Sequence, residues 1–320
     1  MNKRNAAAGQ RYPLFFEPVF FNKLWGGNNL ASLFDYPDNG ENTGECWGIS
    51  AHPKGETIVK NGRLKGKSLS TLWKEEFTLF GMQTDQPFPL LVKLIDAKED
   101  LSVQVHPGDF HEKDEFGKTE CWYIVKARPG AEIVLGHHAT DHSNLISAIE
   151  DGKWEQLLRR VPVSEGDFVY VPSGTVHAIG AGIVLIEIQQ SSDCTYRLYD
   201  YDRLDERGNS RELHLKEALD VIKVPHQDET PEAVLRKEPG ASIRLLVDND
   251  YFSVYHYEVY KEVKLPPYPL FRMITILDGE GSLCTDGHDY LLHKGDHFLL
   301  PADCSDSYLS GMVNFIMAHP

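Results

Sequence analysis

An eight-residue pattern that occurs twice in the chain constrains the fold most strongly. The segment Glu165-Gly-Asp-Phe-Val-Tyr-Val-Pro172 recurs as Lys294-Gly-Asp-His-Phe-Leu-Leu-Pro301. In each copy a Gly-Asp turn precedes an apolar run typical of a β-strand, and a proline ends that run. The matching proline, six residues after each Gly, disfavours coincidence. The chain is therefore predicted to contain two related β units in tandem.

Most of the remaining pattern also indicates β structure. Short apolar or alternating runs recur between Gly, Pro, Asp and Asn residues, which is typical of sandwiches and barrels. Helical spacing is found at 68–77, at 143–160 with a predicted break near Gly152, and at 215–222. These patterns predict a mainly β fold with a small helical insertion at about 140–160.

The length of 320 residues is sufficient for two domains. The segment 228–240 is rich in Pro and Glu, and we predict that it is a linker. It separates residues 1–227, which contain the first copy and the helical insertion, from residues 241–320, which contain the second copy.

Four side chains on three predicted strands are candidate metal ligands. Alternation in Val103-Gln-Val-His106 puts Gln104 and His106 on one face of a strand. Glu120 lies near the start of another strand, and His177 ends the run that follows the first Gly-Asp turn. Two imidazoles, a carboxylate and a carboxamide oxygen suit a borderline divalent ion such as Zn²⁺, with a position left open for water or substrate.

The second copy lacks this chemistry. Its matching segment, Pro301-Ala-Asp-Cys-Ser-Asp306, has no histidine at the place of His177. His293 and His297 flank its Gly-Asp turn at positions that do not match the ligand pattern, so we interpret them as surface or core histidines. One metal ion per chain is therefore expected.

The chain resembles the type I phosphomannose isomerases in their short bacterial form, a family of the cupin superfamily. The segments that carry the resemblance are Gly44-Glu-Cys-Trp-Gly-Ile-Ser50, Leu91-Val-Lys-Leu-Ile95, Leu101-Ser-Val-Gln-Val-His-Pro107, Lys118-Thr-Glu120, Val171-Pro-Ser-Gly-Thr-Val-His177 and Gln190-Ser-Ser-Asp-Cys-Thr-Tyr-Arg197. The chain departs from the family at Thr119, where a proline is common, and at Gly48, where an acidic residue is common. The resemblance implies two tandem cupin jelly-roll β-barrels, the second of which has lost its metal.

The resemblance also implies an activity. Members interconvert mannose 6-phosphate and fructose 6-phosphate through an enediol, and they use one divalent metal ion, usually Zn²⁺. The ligands implied for that ion are Gln104, His106, Glu120 and His177.

Two further side chains receive catalytic roles from the resemblance. Arg197 is implied to be a pocket cation near the developing enediolate, whereas the residues alone favour an ion pair with Asp200 or Asp202. Lys118 is implied to be a pocket lysine that shares a strand face with Glu120.

Three side chains are candidates for substrate binding. Lys93 lies in an apolar strand, where its ammonium group needs an anion or water; it contacts the phosphate or a sugar oxygen, or it reaches water at the barrel rim. Ser102 shares a face with Gln104 and is placed to donate to the phosphate. Trp47 packs either on the sugar or in the core.

Charge and cysteine content limit the partners and the compartment. The net charge of −16 disfavours nucleic acid and anionic membranes, so a phosphosugar substrate must be bound by local cations. The five cysteines form no C-x-x-C pair, which predicts reduced thiols. No long apolar segment follows the basic N-terminus, so we predict a cytoplasmic protein.

Two other functions compete with the isomerase. A metal-dependent cupin oxidase or dioxygenase usually carries more histidine ligands and iron, and Gln104 stands where such cupins have a histidine. A non-catalytic sugar-binding cupin would not need the full ligand set together with Lys118 and Arg197.

Overall fold

The chain divides into two units, each built from segments that are distant in sequence. A computed structural model describes residues 11–37, 39–82, 85–109, 116–204 and 208–320. Unit I consists of the N-terminal segment to Pro18, Gly48–Phe88 and Glu232–Pro320, and unit II consists of Val19–Trp47 and Pro89–Pro231. Each unit contains one copy of the repeated pattern.

The predicted mainly β class is confirmed. The strands of the described residues are β1 (Leu14–Glu17), β2 (Val19–Gly27), β3 (Thr43–Ile49), β4 (Ile58–Val59), β5 (Leu90–Ala97), β6 (Val103–Val105), β7 (Glu120–Ala127), β8 (Glu132–His137), β9 (Leu158–Pro162), β10 (Phe168–Val171), β11 (His177–Ala178), β12 (Ile183–Gln190), β13 (Tyr196–Tyr199), β14 (Val234–Glu238), β15 (Ala241–Asp248), β16 (Ser253–Val259), β17 (Glu262–Leu265), β18 (Arg272–Thr285), β19 (His288–Leu292), β20 (His297–Leu300) and β21 (Ser307–His319).

The helices are short, and those within 69–75, 142–157 and 215–221 lie where the spacing predicted them, whereas the helix at 29–34 was not predicted. They are α1 (Asn29–Phe34), α2 (Leu69–Glu75), α3 (His142–Glu150), α4 (Trp154–Leu157) and α5 (Leu215–Val221), with 3₁₀ turns at Gly62–Leu64 and Phe77–Leu79. The predicted break at Gly152 separates α3 from α4, because its φ of +66° is a conformation that favours glycine. Residues 158–160 were predicted as helix but begin β9. Within the described ranges, every helix is too short or too polar to cross a membrane.

Unit II consists of two sheets. The six-stranded sheet has the order β10-β7-β12-β5-β2-β3, and the five-stranded sheet has the order β13-β6-β11-β8-β9. One core joins side chains of both sheets, including Trp122 and Leu185 from the first and Ile133 from the second. A second core packs α3 and α5 against the other face of the five-stranded sheet. The two sheets are open rather than closed barrels, and they share an interior as in a jelly roll.

Unit I has one long sheet, ordered β14-β15-β16-β21-β18-β20-β1-β4, with β17 on β21 and β19 on β18. The second copy of the repeat supplies β20. The buried residues of its core come from several strands, among them Ile274 and Ile276 of β18, Phe298 of β20 and Phe315 of β21.

The division into units differs from the sequence-based boundaries in three respects. Gly48–Phe88, which lies inside the predicted 1–227 domain, belongs to unit I. Strand β1 pairs with β20, with Leu14 opposite Leu299 and Phe15 opposite Phe298, so the N-terminal segment packs with unit I. Residues 234–238, inside the predicted linker, form β14 and pair with β15. The side chains of β14 are mostly exposed, so this strand has no apolar alternation that marks it in the sequence.

His297 explains why a small residue stands at position 48. A Cβ atom on Gly48 would lie 2.2 Å from His297 Nδ1, so an acidic side chain has no room there. His297 Nδ1 lies 2.8 Å from Thr275 Oγ1, and the ring is fully buried. Burial, assisted by Lys60, lowers the pKa of His297 to about 3.

This pKa predicts a pH-dependent stability. The unfolded chain binds a proton at His297 below the ordinary pKa of 6.5, whereas the folded chain does not until about pH 3. The contribution of this residue is therefore full above pH 6.5 and falls as the pH drops towards 3, by about 2 kcal/mol at pH 5. Urea unfolding at pH 7 and pH 5 should show a weaker pH dependence in His297→Gln than in the natural protein.

The exposed His293 provides the matched control, and His293→Gln should keep the full pH dependence. An unchanged pH dependence in His297→Gln would show that His297 is not the buried neutral group described above.

Candidate active site

Three strands bring the predicted ligands together in the interior of unit II. His177 begins β11 and lies directly opposite Gln104 of β6. The neighbours of each, such as Val103, Val105 and Ala178, pack on the helical side of the five-stranded sheet. Because side chains alternate along a strand, Gln104 and His177 face the other sheet. Glu120 begins β7 of the six-stranded sheet. It lies on the same face of β7 as Trp122, which is part of the shared core.

The ligand atoms of His106, Glu120 and His177 lie within 4.8 Å of one another, and all three residues are buried. His106 Nε2 is 3.4 Å from Glu120 Oε2, and His177 Nε2 is 3.5 Å from Glu120 Oε1. Among the described residues this is the one group of His, Cys, Asp and Glu side chains that could hold a metal ion. The carboxamide of Gln104 adjoins it, with Nε2 3.3 Å from His177 Nε2.

The second nitrogen of each histidine has a carbonyl partner. His106 Nδ1 lies 2.9 Å from the carbonyl oxygen of Cys194, and His177 Nδ1 lies 2.8 Å from that of Thr175. These bonds orient both rings with Nε2 towards Glu120, as outer hydrogen bonds do in metal sites. Burial is the main cause, and the charge of Lys118 the second, that lowers the pKa of His106 to about 3. Burial also lowers the pKa of His177. Both rings are therefore neutral at pH 7, and each can offer the lone pair of Nε2 to a metal ion.

The state of the Glu120 carboxylate shows whether these residues fit a metal ion. Its Oε2 is buried and accepts no hydrogen bond of normal geometry, although Lys118 Nζ lies 2.8 Å away. Burial acts to raise the pKa of Glu120, but Lys118 and His106 hold it well below its ordinary value, so the carboxylate is ionised. An ionised, under-coordinated oxygen beside two neutral imidazole nitrogens is a donor set that a divalent cation satisfies.

Lys118 is in contact with the candidate ligands. Its Nζ lies 2.8 Å from both His106 Nε2 and Glu120 Oε2. Burial favours the neutral amine, but Glu120 and Glu187 outweigh it and raise the pKa of Lys118, so the group is a cation. Lys118 is therefore a cation in contact with two candidate ligands, and its catalytic role stays a prediction.

Arg197 shares a face with the cluster. It lies opposite Gln104, which in turn lies opposite His177, so the three residues form a row across β13, β6 and β11. Its Nε donates to Ser102 Oγ at 3.3 Å, and its Nη1 donates to the carbonyl oxygen of Glu212 at 2.7 Å. The alternative ion pair of Arg197 is formed with neither Asp200 nor Asp202.

Asp200 has other partners. Its carboxylate binds Arg203 and Arg211, which hold its pKa below the ordinary value against the effect of burial. Arg197 faces the interior of unit II because its neighbours Tyr196 and Leu198 pack on the helical side of the sheet.

Comparisons with known proteins identify the family. The model of the type I phosphomannose isomerase catalytic domain matches residues 14–123, and that of the mannose-6-phosphate isomerase cupin domain matches residues 242–320. A mannose-6-phosphate isomerase of Bacillus subtilis (strain 168) is 47% identical over 311 residues, which are 96% of this chain and 98% of that protein. The chain belongs to the type I phosphomannose isomerase family.

Other relatives agree with this assignment. A mannose-6-phosphate isomerase of Streptococcus mutans is 42% identical over 96% of this chain and 98% of its own length. The crystal structure of the mannose 6-phosphate isomerase from Bacillus subtilis superposes with a TM-score of 0.95 at 45% identity, covering 97% of this chain and all of that one.

The other departure of this type I phosphomannose isomerase from its family pattern also has a structural reason. The backbone N–H of Thr119 donates to Gln190 Oε1 at 2.9 Å, and a proline would lack this donor. The hydroxyl of Thr119 accepts from the N–H of Ser173. The first bond connects the start of β7 to the end of β12, and the second connects it to the segment that precedes His177.

Sequence reasoning missed a buried carboxylate beside the cluster. Trp122 Nε1 donates to Glu120 Oε1 at 3.0 Å and to Glu187 Oε2 at 3.1 Å. Glu187 Oε1 is 3.3 Å from Lys93 Nζ, because the two residues are directly opposite on β12 and β5. The signal was available, since Glu187 interrupts an apolar run just as Lys93 does.

The predicted substrate-binding residues all have partners within the protein. Lys93 is buried against Glu187, and its Nζ lies 5.0 Å from the centre of the Trp47 ring. Trp47 is also buried, and its Nε1 donates to Glu45 Oε2 at 2.8 Å. Ser102 is buried and accepts from Arg197. Their contacts with a substrate remain predictions.

Proposed function

We infer that the chain is a metal-dependent aldose-ketose isomerase that interconverts mannose 6-phosphate and fructose 6-phosphate through an enediol. The inference is carried by one observation: the buried His106, Glu120 and His177 cluster shares its interior with the cations of Lys118 and Arg197. Family membership supports the same reaction. Two neutral imidazoles and a carboxylate with an adjacent carboxamide favour one Zn²⁺ ion.

The residues Gln104, His106, Glu120 and His177 would hold the ion. When bound, it would polarise the sugar carbonyl as a Lewis acid. The hydrogen bonds to Cys194 and Thr175 keep the imidazoles in the orientation that this requires.

The remaining steps fall to the chain itself. Isomerisation moves one proton between C2 and C1 and another between the two oxygens. Lys118 is a cation because of Glu120 and Glu187, so we propose that its Nζ donates to a sugar oxygen rather than taking the carbon-bound proton. We propose that Arg197 stabilises the negative charge of the enediolate, since its guanidinium is fixed by Ser102 and Glu212 before substrate binds.

A coupled assay with mannose 6-phosphate, before and after chelation, tests this function. We expect turnover of the metal-loaded protein, its loss after chelation and its recovery when Zn²⁺ is restored. Oxygen consumption without isomerisation would favour an oxidase, and tight sugar binding without either would favour a non-catalytic cupin.

We also propose a cytoplasmic location, which is supported by the phosphorylated substrate and the five free cysteines.

Phosphate selectivity gives a further prediction. We expect a strong preference for mannose 6-phosphate over free mannose, and we expect Lys93→Ala to weaken that preference. Lys93 also neutralises Glu187, so the single variant leaves a buried carboxylate without its cation and loses stability as well. The measurement is kcat/KM for both sugars together with thermal unfolding.

A double variant separates these effects. In Lys93→Met with Glu187→Gln no charge remains unpaired. If Lys93 contacts the phosphate, the double variant still loses efficiency on mannose 6-phosphate relative to free mannose. If both sugars are affected equally, Lys93 only balances Glu187 and the predicted phosphate contact is wrong.

A further inference from the structure

A buried arginine in unit I lacks a counter-charge. The side chain of Arg272 is only 3% exposed. Among the described residues, neither its Nε nor its Nη2 has a hydrogen-bond partner. A buried guanidinium without a partner costs several kcal/mol, so natural proteins rarely leave one unsatisfied.

The register of the sheet shows where this side chain points. On β18, Arg272 lies on the same face as Ile274 and Ile276, and both isoleucines belong to the core of unit I. Met273 pairs with Ala318 of β21, so the next position places Arg272 opposite His319, at the end of that strand. On the other neighbour, β20, Arg272 is opposite the core residue Leu300. The guanidinium therefore faces the interior of the unit at one end of its core.

Aromatic residues surround this end of the core. The His319 ring lies 4.5 Å from that of Tyr268 and 5.8 Å from that of Tyr255, measured between centroids. Tyr257 is stacked on Phe315 at 4.6 Å. Tyr257 and Tyr268 both act on the pKa of Arg272, so both lie near its guanidinium.

Among the described residues, no carboxylate is paired with the guanidinium of Arg272. Burial lowers the pKa of Arg272, and the groups that act in the opposite direction are Tyr257, Cys304 and Tyr268, none of which is a carboxylate. Asp248 acts on the pKa of His319 but not on that of Arg272. The local environment is therefore a cation enclosed by aromatic rings and hydroxyl groups.

We propose that Arg272 binds a small oxyanion in the interior of unit I. Nε–H and one N–H of Nη2 project from the same edge of the guanidinium, and this fork matches two oxygens of a carboxylate, phosphate or sulfate group. The interior of a jelly roll is a place where such folds hold ligands. All these residues belong to unit I, whereas the proposed metal cluster belongs to unit II, so the oxyanion site is a second site of the protein.

Crystals of the metal-loaded protein grown with selenate locate the site directly. We expect an anomalous selenium peak within hydrogen-bond distance of Arg272 Nε and Nη2. A water molecule at this position in saturating selenate, with no selenium peak, would overturn the proposal.

Thermal unfolding of the metal-loaded protein tests the same site in solution. Phosphate, sulfate, acetate and chloride are compared at equal ionic strength. The preferred oxyanion should raise the melting temperature by ~5 °C at a hundredfold excess over its dissociation constant. A larger rise in melting temperature with phosphate than with acetate indicates a phosphate-type oxyanion, and the reverse indicates a carboxylate. An equal rise with chloride would mean general screening and would contradict the proposal.

Variants assign the effect to Arg272, because phosphate can also bind at the proposed catalytic site. Arg272→Met should lose most of the oxyanion-dependent rise and should unfold at the same or a higher temperature than the natural protein without oxyanion. The exposed Arg244 is the matched control, and Arg244→Met should keep the full rise. If Arg272→Met does not fold, Arg272→Lys decides the question, since it keeps the charge but lacks the fork. A full rise in either Arg272 variant would show that the anion binds elsewhere.

Discussion

His106→Ala and His177→Ala are each expected to lose the metal ion and to reduce turnover by at least ~1000-fold, because several kcal/mol of charge stabilisation depend on the ion. Each histidine offers Nε2 to the cluster around Glu120, and a methyl group cannot replace that donor. Elemental analysis should give one ion per chain in the natural protein and much less in both variants. The coupled assay then measures the loss of turnover.

His293→Ala is the matched control for this experiment. His293 is exposed beside the second Gly-Asp turn, and its replacement should change neither metal content nor turnover. Two ions per chain in the natural protein would contradict the expectation of a single metal site. Full activity after thorough chelation would contradict the metal requirement itself.

The candidate ligands could be predicted because their positions depend on local pattern. Gln104 and His106 lie in one short alternating segment, and turn residues fix where Glu120 and His177 enter their strands. Strand alternation has a period of two, so it assigns each of these side chains to a face without knowledge of the partner strand. The cluster of His106, Glu120 and His177 agrees with that assignment.

The partner of Lys93 could not be predicted in the same way. Lys93 and Glu187 are each visible as a charge in an apolar run, but only the register of β5 against β12 makes them neighbours. Register between strands so distant in sequence is set by the packing of the whole core. The same limit applies to β1, whose pairing with β20 moves the N-terminal segment into unit I.

The environment of Arg197 shows a third kind of limit. The residues alone favour an ion pair with Asp200 or Asp202, because both carboxylates are close to Arg197 in sequence. In the structure Asp200 forms ion pairs with Arg203 and Arg211 instead of Arg197. Sequence proximity could not show which of the three arginines pairs with this carboxylate. Arg197 faces the interior because its neighbours Tyr196 and Leu198 pack on the helical side of the sheet.

Arg197→Ala is expected to lower kcat by ~100-fold or more with a smaller effect on KM, the scale observed when one donor to a developing oxyanion is removed. Ser102 and Glu212 hold the guanidinium in place before the reaction, so its contribution appears mainly in the transition state. Ser102→Ala removes one of the two contacts and should have a much smaller effect on kcat. Steady-state kinetics of the two variants, both loaded with metal, provide the comparison. Turnover that is unchanged in Arg197→Ala would make this residue an ordinary arginine.

Isotope exchange connects Arg197 to the enediol itself. A protein group that removes the C2 proton of mannose 6-phosphate can exchange it with solvent before returning it to C1. Turnover in heavy water should therefore place deuterium at C1 of fructose 6-phosphate without consuming oxygen, and Arg197→Ala should slow label entry and isomerisation together. If isomerisation proceeds and no label enters, the hydrogen moves by a hydride shift or through a fully shielded base. A shielded base still forms the enediolate that Arg197 would stabilise, whereas under a hydride shift a large loss of kcat in Arg197→Ala would have to come from stabilisation of another charge.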